Sequence, residues 1–473
     1  MTLQTETARS RRTFIKELAA IAIPVALQNL LTTTASMVDT MMVAPLGELS
    51  VAALGLCAQF STLLFACYWG FVAGGMLFFS QYWGAGDDEG IERSYGFTLA
   101  AMMLVAFTFL GVCLFAPETV MRLYTDKEAI QSIGVQYLRI AGFAYAMQVL
   151  STAMSALLRS TERVRIPMLA SILSVATNIF LNWVFIYGHL GAPAMGIRGA
   201  ALATTVAGVV NMSAILIMSR AVGYRYLFAV RGHFKWTRGH FAVYMRKCFP
   251  ILCNEVLIGV GNMLINVTLG RQPEHVIAAL AVFRTLEGLV IAFFTGFSNA
   301  ASVMVGKCVG AGELNDAYKQ AKKLVYLCSG FILAVACTLF FLRGPILTRM
   351  GLSGDSFEAG TRFLLIYLPV CVIRMGNWIQ NDICRSSGDS LTGTVLEIAS
   401  MYALLLPFVL LSGFVWKFPY WVIFLFCYID EPIRYLLMQI HLYSGRWIRP
   451  VTEQGMAALP AFLGKHHRSF YGK

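Results

Sequence analysis

Twelve apolar runs of roughly 20 or more residues succeed one another along this chain, each long enough to cross about 30 Å of hydrocarbon as a helix. They lie near 14–42, 49–80, 95–116, 130–157, 166–188, 196–219, 243–270, 276–305, 322–343, 359–384, 391–412 and 417–440. Several exceed the minimum length, so tilt or ends in the headgroups are expected. With 58% hydrophobic and 13% charged residues and a mean hydropathy of +0.66, the chain cannot hide its apolar surface in one water-soluble core. The expected fold class is an all-α polytopic membrane protein.

Lys and Arg accumulate on the cytoplasmic side of short loops, which orients the chain. With the N-terminus inside, 25 of the 37 basic residues fall on inner segments and 8 on outer loops. Both termini are therefore expected to be cytoplasmic, in a cytoplasmic or inner membrane. The net charge of +12 then reflects topology and attraction to anionic lipid, and no basic domain stands apart to suggest nucleic acid. "SRRTFIK", residues 10–16, resembles a twin-arginine export signal. The following segment carries Gln28, Asn29 and Asp39, shows no convincing cleavage site and leads into eleven more spans, so the arginines read as inside anchors. The 11 cysteines form no C-x-x-C and no Cys/His cluster of metal spacing, and no cofactor is expected. Short outer loops without H-E-x-x-H or a comparable signature argue against an enzyme.

One constant offset, the one that carries Pro24 onto Pro250, aligns several separate features. At that offset Ala52-Ala53-Leu54 falls on Ala278-Ala279-Leu280, and Gly70-Phe71 on Gly296-Phe297. Gly84-Ala85-Gly86 falls on Gly310-Ala311-Gly312, and Arg159-Ser160 on Arg385-Ser386. Five coincidences at one offset indicate duplication of a six-helix unit. Six is even, so both copies cross with the same polarity, and the expected plan is two six-helix lobes related by a pseudo-two-fold along the membrane normal. The expected division is an N-lobe (1–219), an inter-lobe linker (220–242), a C-lobe (243–440) and a tail (441–473), with alternating access by rocking of the lobes.

Polar residues inside the spans then stand out. Gln28, Thr32, Ser36 and Asp39 project within about 80° on the first helix. An ionised Asp placed centrally costs roughly 2.5–3.5 kcal/mol, so it should face a cavity with a partner, a proton or a cation; otherwise it caps the helix end beside "APLGEL". On the fifth, Ser171, Ser174, Asn178 and Asn182 share a face, fit either to ligate a cation or to join helices. In the second half, Glu255, Asn262 and Asn266 line one face of the seventh helix. Arg284 and Glu287 are one turn apart on the eighth and can pair, and Arg374 joins them as an ion-pair candidate from the tenth. Glu255 is then either neutralised with them or the unpaired acid that titrates. "DEPIR", with Asp430, Glu431 and Arg434, reads as the charged cytoplasmic end of the last helix.

"VDTMMVAPLGELSVAALG", the two "GAG" triplets, "LLRSTERVRIPMLASILSVATNIFLNWVFIYG" and "MGIRGAALATT" together resemble the multidrug and toxic compound extrusion (MATE) transporters, from about residue 13 to residue 450. The resemblance implies a twelve-helix, two-lobe antiporter that expels organic cations or other amphipathic compounds in exchange for H+ or Na+, usually working as a monomer. It carries a cation-coupling role onto Asp39, Asn178, the position of Asn182 and Thr204, and a second coupling role onto Glu255 in "PILCNEV". Asn182 stands where a second carboxylate often occurs, which weakens tight Na+ binding and favours a protonated Asp39. Other expected partners are the bilayer and small molecules. The alternatives are a lipid-linked oligosaccharide flippase, with Arg284 and Arg374 meeting a diphosphate, or a dedicated metabolite exporter of the same superfamily.

Overall fold

The computed structural model describes residues 3–470, with side chains from Thr13 through Lys465, so the Arg11-Arg12 pair lies outside the described side chains. Its helices are α1 (Leu3–Val43), α2 (Glu48–Ala85), α3 (Asp88–Phe115), a short α4 (Pro117–Tyr124), α5 (Glu128–Ser160), α6 (Arg165–Tyr187) and α7 (Ile197–Ala221). A short α8 (Val230–His233) precedes α9 (Arg238–Leu269), α10 (Glu274–Gly310), α11 (Leu314–Arg349), α12 (Gly354–Ser386), α13 (Ser390–Ser400), α14 (Leu406–Leu410), α15 (Tyr420–Phe426), α16 (Glu431–Ser444) and α17 (Glu453–Phe470). Among the described residues eleven helical segments are long and apolar enough to cross a membrane; the last, Ser390–Val415, contains two π-helical turns, Met401–Leu405 and Leu411–Val415. The protein is thus an all-helical, multi-pass membrane protein.

The twelfth apolar run departs from expectation. It is broken by a turn between Phe426 and Glu431, and "DEPIR" is an interior helix start rather than an exposed charged end. Asp430 and Glu431 are buried. Pro432 cannot donate to a preceding turn and its ring would crowd the carbonyl four residues back, so α16 starts afresh there.

The chain divides into two compact units. One comprises Ile23–Phe79 and Asp87–Met245; the other holds the described residues up to Ala22, Ser80–Gly86 and the described residues from Arg246 on. In the first, the segment after α7 folds onto α3: Tyr226 Oη and Arg225 bond Asp88, the His233 ring bonds the Tyr226 carbonyl at 2.8 Å, and Trp236 stacks on Phe97. Several aromatic and basic residues of this connection therefore have defined partners.

In the second unit the repeated G-A-G triplets explain themselves. A Cβ on Gly84 would lie 2.0 Å from the Lys307 carbonyl oxygen, and one on Gly310 would lie 1.9 Å from that of Gln81. Lys307 is the repeat counterpart of Gln81, as Gly310 is of Gly84, so the ends of α2 and α10 make one contact twice, reciprocally. The third glycines, Gly86 (φ 68°) and Gly312 (φ 79°), take the left-handed turn that ends each helix. The next helix begins at once, with the Asp87 carboxylate capping the Gly90 N–H at 2.8 Å.

Residues beyond α16 are folded into the same unit. Trp447 is fully buried, Arg449 N–H donates to the Ser387 carbonyl (2.9 Å), Val451 N–H to Gln81 Oε1 (2.8 Å) and Thr452 Oγ1 to the Gly310 carbonyl (2.8 Å). Asp389 anchors this segment through His441 Nε2 (2.8 Å), Thr392 Oγ1 (2.8 Å) and Arg449 Nη1 (3.2 Å). Burial pushes the Asp389 carboxyl up, but these partners outweigh it and hold it below its ordinary range.

Two outcomes follow from these contacts. Gly310→Val puts branched carbon into a backbone contact that cannot yield, and should cost about 1–3 kcal/mol, read as a lower Tm of the purified protein. Gly111→Ala, where nothing lies within 4 Å, should leave Tm unchanged or higher. A depressed carboxyl contributes stability above about pH 4 that is lost as pH falls through its lowered value. Asp389→Asn should therefore expose residues 445–465 to limited proteolysis at pH 7, where wild type is resistant.

Candidate functional site

In the first unit, α1, α6 and α7 bring four polar side chains into one chain of hydrogen bonds. Asp39, near the end of α1, accepts from Asn182 Nδ2 at 2.5 Å. The same Asn182 amide reaches Asn178 Oδ1, one turn away on α6, at 3.3 Å. Asn178 Nδ2 approaches Thr204 Oγ1 on α7 at 3.4 Å, and Thr204 returns its own proton to the Ala200 carbonyl at 2.9 Å. Helical spacing of four residues places Asn178 and Asn182 on the same face, and a close contact keeps α7 near. A Cβ on Gly199 would meet the Phe185 carbonyl oxygen at 2.5 Å, so only glycine admits this approach.

Asp39, Asn178 and Thr204 open onto a cavity of about 640 Å³ within this unit, which Thr32 and Ser36 also line. Tyr137, Tyr145, Gln148 and Asn211, from α5 and α7, add to its polar wall. These last four were not singled out in the sequence; their signal was weak, because single polar residues on long apolar helices are common. Asp39 is the only carboxylate among the described lining residues, and no Lys, Arg or His joins it. A lone acid among carboxamides and hydroxyls can exchange a proton, hold a monovalent cation or pair with a cationic ligand.

Other expected lining residues lie elsewhere. Gln28 is buried away from the cavity, with Nε2 donating to Ser171 Oγ (2.9 Å) and Oε1 accepting from Arg159 Nη2 (2.7 Å). A buried guanidinium takes precedence over a lumen for a neighbouring carboxamide. Asn262 and Asn266 are exposed on α9 and do not line this cavity.

The second unit concentrates charge instead. The expected Arg284–Glu287 pair does not form: Arg284 is exposed and donates to Asn266 Oδ1 at 3.0 Å, while Glu287 turns inward to Arg374 and to Tyr428 Oη (3.3 Å). Arg374 also meets Glu431 at 3.6 Å. Glu255 lies 3.8 Å from Arg385, beyond hydrogen-bond reach but close enough for Coulomb attraction. Glu397 sits between Arg385 (3.6 Å) and Arg434 (2.9 Å) and accepts from Asn254 (3.0 Å) and Asn381 (3.2 Å). Asp430 and Glu431 approach Arg434 at 3.4 and 3.9 Å, and Asp382 accepts from Ser298 at 2.5 Å near Arg385. Six carboxyls, Glu255, Glu287, Asp382, Glu397, Asp430 and Glu431, thus face three guanidiniums, Arg374, Arg385 and Arg434. Glu397 and Arg385 could have been found from the sequence: they are the repeat counterparts of Ser171 and Arg159, the partners of Gln28.

Long helices all but filling the chain, with a polar chamber and a charge network among them, define a polytopic membrane transporter. A family model described as MatE matches residues 24–184 and 250–411, one copy of the repeat each. The chain belongs to this family, the MATE multidrug efflux transporters. It is 22% identical over 421 residues to the Bacillus subtilis protein described as an uncharacterized transporter, YisQ, covering 89% of this chain and 91% of that one. It is 23% identical over 406 residues to a probable multidrug resistance protein, YoeA, of the same organism, covering 84% and 87%. The fold is similar to that of a Vibrio cholerae MATE transporter, VcmN, with a TM-score of 0.81 at 16% identity, covering 96% and 98% of the two chains.

Removing Arg434 leaves buried carboxylates without their partner, so Arg434→Met should destabilise the protein by about 3–5 kcal/mol. Arg139→Met breaks only the exposed pair with Glu118 and should cost under about 1 kcal/mol. Denaturation midpoints of the two variants in detergent check the difference.

Proposed function

We propose that this chain exports organic cations or other amphipathic compounds in exchange for H+ or Na+, with Asp39 as the principal coupling acid. The observation that supports this most directly is the position of Asp39: among the described residues it is the sole carboxylate on the wall of a ligand-sized cavity, and its Oδ1 is held by Asn182. A cationic substrate and a coupling ion then compete for one negative charge. Uptake of the ion removes the charge that holds the substrate, and its release restores it. The carboxamides of Asn178 and Asn182 add no second charge, which favours a proton over tightly bound Na+.

Glu255 is the second coupling candidate. If all six carboxyls of its network were ionised, three negative charges would stand uncompensated by the three arginines, a costly state at membrane depth that protons or a cation relieve. Glu255 contacts its arginine at 3.8 Å and so is loosely held. The flippase reading needs Arg284 and Arg374 together for a diphosphate; Arg374 is engaged by Glu287 and Glu431, which leaves Arg284, exposed and bonded to Asn266, as a single guanidinium, and this favours antiport. The lobes 1–219 and 243–440 would rock about the 220–242 linker in a monomer, with both termini in the cytoplasm.

Efflux of a fluorescent organic cation from proteoliposomes, under a pH or a Na+ gradient imposed separately, tests the proposal. Asp39→Asn should abolish gradient-driven efflux, and the gradient that drives wild type names the ion. Retained coupling in Asp39→Asn with loss in Glu255→Gln would move the role to Glu255. Transport by neither gradient in folded wild type would refute coupled antiport.

A further inference from the structure

The hydrogen-bond polarity of the cavity wall narrows the substrate further. A hydroxyl has one proton to donate and two lone pairs that accept. On α1, Thr32, Ser36 and Thr40 each give that proton to the backbone carbonyl four residues earlier, at 2.9, 3.3 and 3.1 Å. Thr62 and Thr204 do the same at 3.1 and 2.9 Å, and Ser174 donates to the Ala207 carbonyl at 2.8 Å. All six line the cavity, so what they can present to a ligand is lone pairs. Asn211 Oδ1, also on the wall, is buried with no hydrogen-bond partner, and Asp39 adds a carboxylate. Against these acceptors stand only neutral donors, on Ser61, Ser171, Gln148, Asn178, Asn211 and Tyr137, the Tyr145 hydroxyl being given to the Cys57 carbonyl at 3.5 Å; no cationic side chain contributes.

A wall of this kind rewards a ligand that brings its own donors. A primary or secondary ammonium, or a guanidinium, can satisfy several lone pairs at once with charge-assisted hydrogen bonds. A quaternary ammonium or a phosphonium carries the same charge with no N–H, and would leave those acceptors dry and unpaired. Such ions are held instead by aromatic faces, of which the wall offers Phe65, Tyr137 and Tyr145.

We infer that the cavity selects cations bearing N–H donors, primary or secondary amines and guanidines, over quaternary cations of the same shape. The inference rests on the reading of this cavity as the substrate site, so binding and transport are measured separately. An arylalkyl primary amine and its N,N,N-trimethyl derivative make a matched pair. Equilibrium binding of each to the purified full-length protein should show roughly tenfold or greater preference for the primary amine, the loss expected when charge-assisted bonds disappear. Thr32→Val keeps the shape and removes one acceptor, and should shrink the preference by about threefold while leaving the trimethyl derivative's affinity unchanged. Equal or tighter binding of the trimethyl derivative, or no binding of either, overturns the inference. Selective binding of the amine without gradient-driven transport would uphold it and refute the antiport reading. Transport of both cations at equal affinity would do the reverse.

Discussion

Inside a bilayer there is no water to take the place of a missing hydrogen bond, and every polar group that enters must find its partner within the chain. That constraint reaches from the backbone, which is helical almost throughout, to single side chains such as Asn182, whose amide serves both Asp39 and Asn178. It also explains why so many hydroxyls return their proton to their own helix. The cavity that results is polar, rich in acceptors and without a cationic donor, and its chemistry is in part a by-product of how a helix in hydrocarbon satisfies a threonine.

The two copies of the repeat solve the same geometric problem with different charge. In the first unit Gln28 bridges Ser171 and Arg159; in the second its counterpart Asn254 bonds Glu397, and Glu397 itself meets Arg385. Glutamate in the place of Ser171 sets a carboxylate directly against the arginine, and further acids gather around that ion pair. The reverse holds near the other end of these helices. Ile265, the counterpart of Asp39, packs with Leu269, Met401, Leu405, Leu406, Val409 and Ile423 in an apolar cluster. One unit is therefore polar where its counterpart is dry, and the division of labour between them is written in substitutions on a shared scaffold.

One break in the regular helices falls where the charge lies. The turn before Glu431 lets Asp430 and Glu431 point at Arg434 and Arg374 from a helix start. Two π-helical turns lie in the segment that follows Glu397, within the Ser390–Val415 crossing, where extra residues per turn shift which side chains face inward.

Periodicity and composition by themselves determined the membrane class, the apolar crossings, the duplication and the polar stripes on α1 and α6, because hydrophobic length and helical spacing are local properties of a chain. The motifs carried the family. Asp39, Asn178, Asn182 and Thr204 were grouped by the family resemblance their motifs carry, and helical spacing joined only Asn178 and Asn182; their hydrogen bonds could not be read. Only the tertiary structure decided that Glu287 turns to Arg374 rather than Arg284, that Gln28 serves Arg159 instead of the cavity, and that "DEPIR" is interior. Each of those outcomes depends on which distant guanidinium or carboxyl arrives within a few ångströms, and in a low-dielectric interior that encounter outweighs the preference of any residue for its neighbours along its own helix.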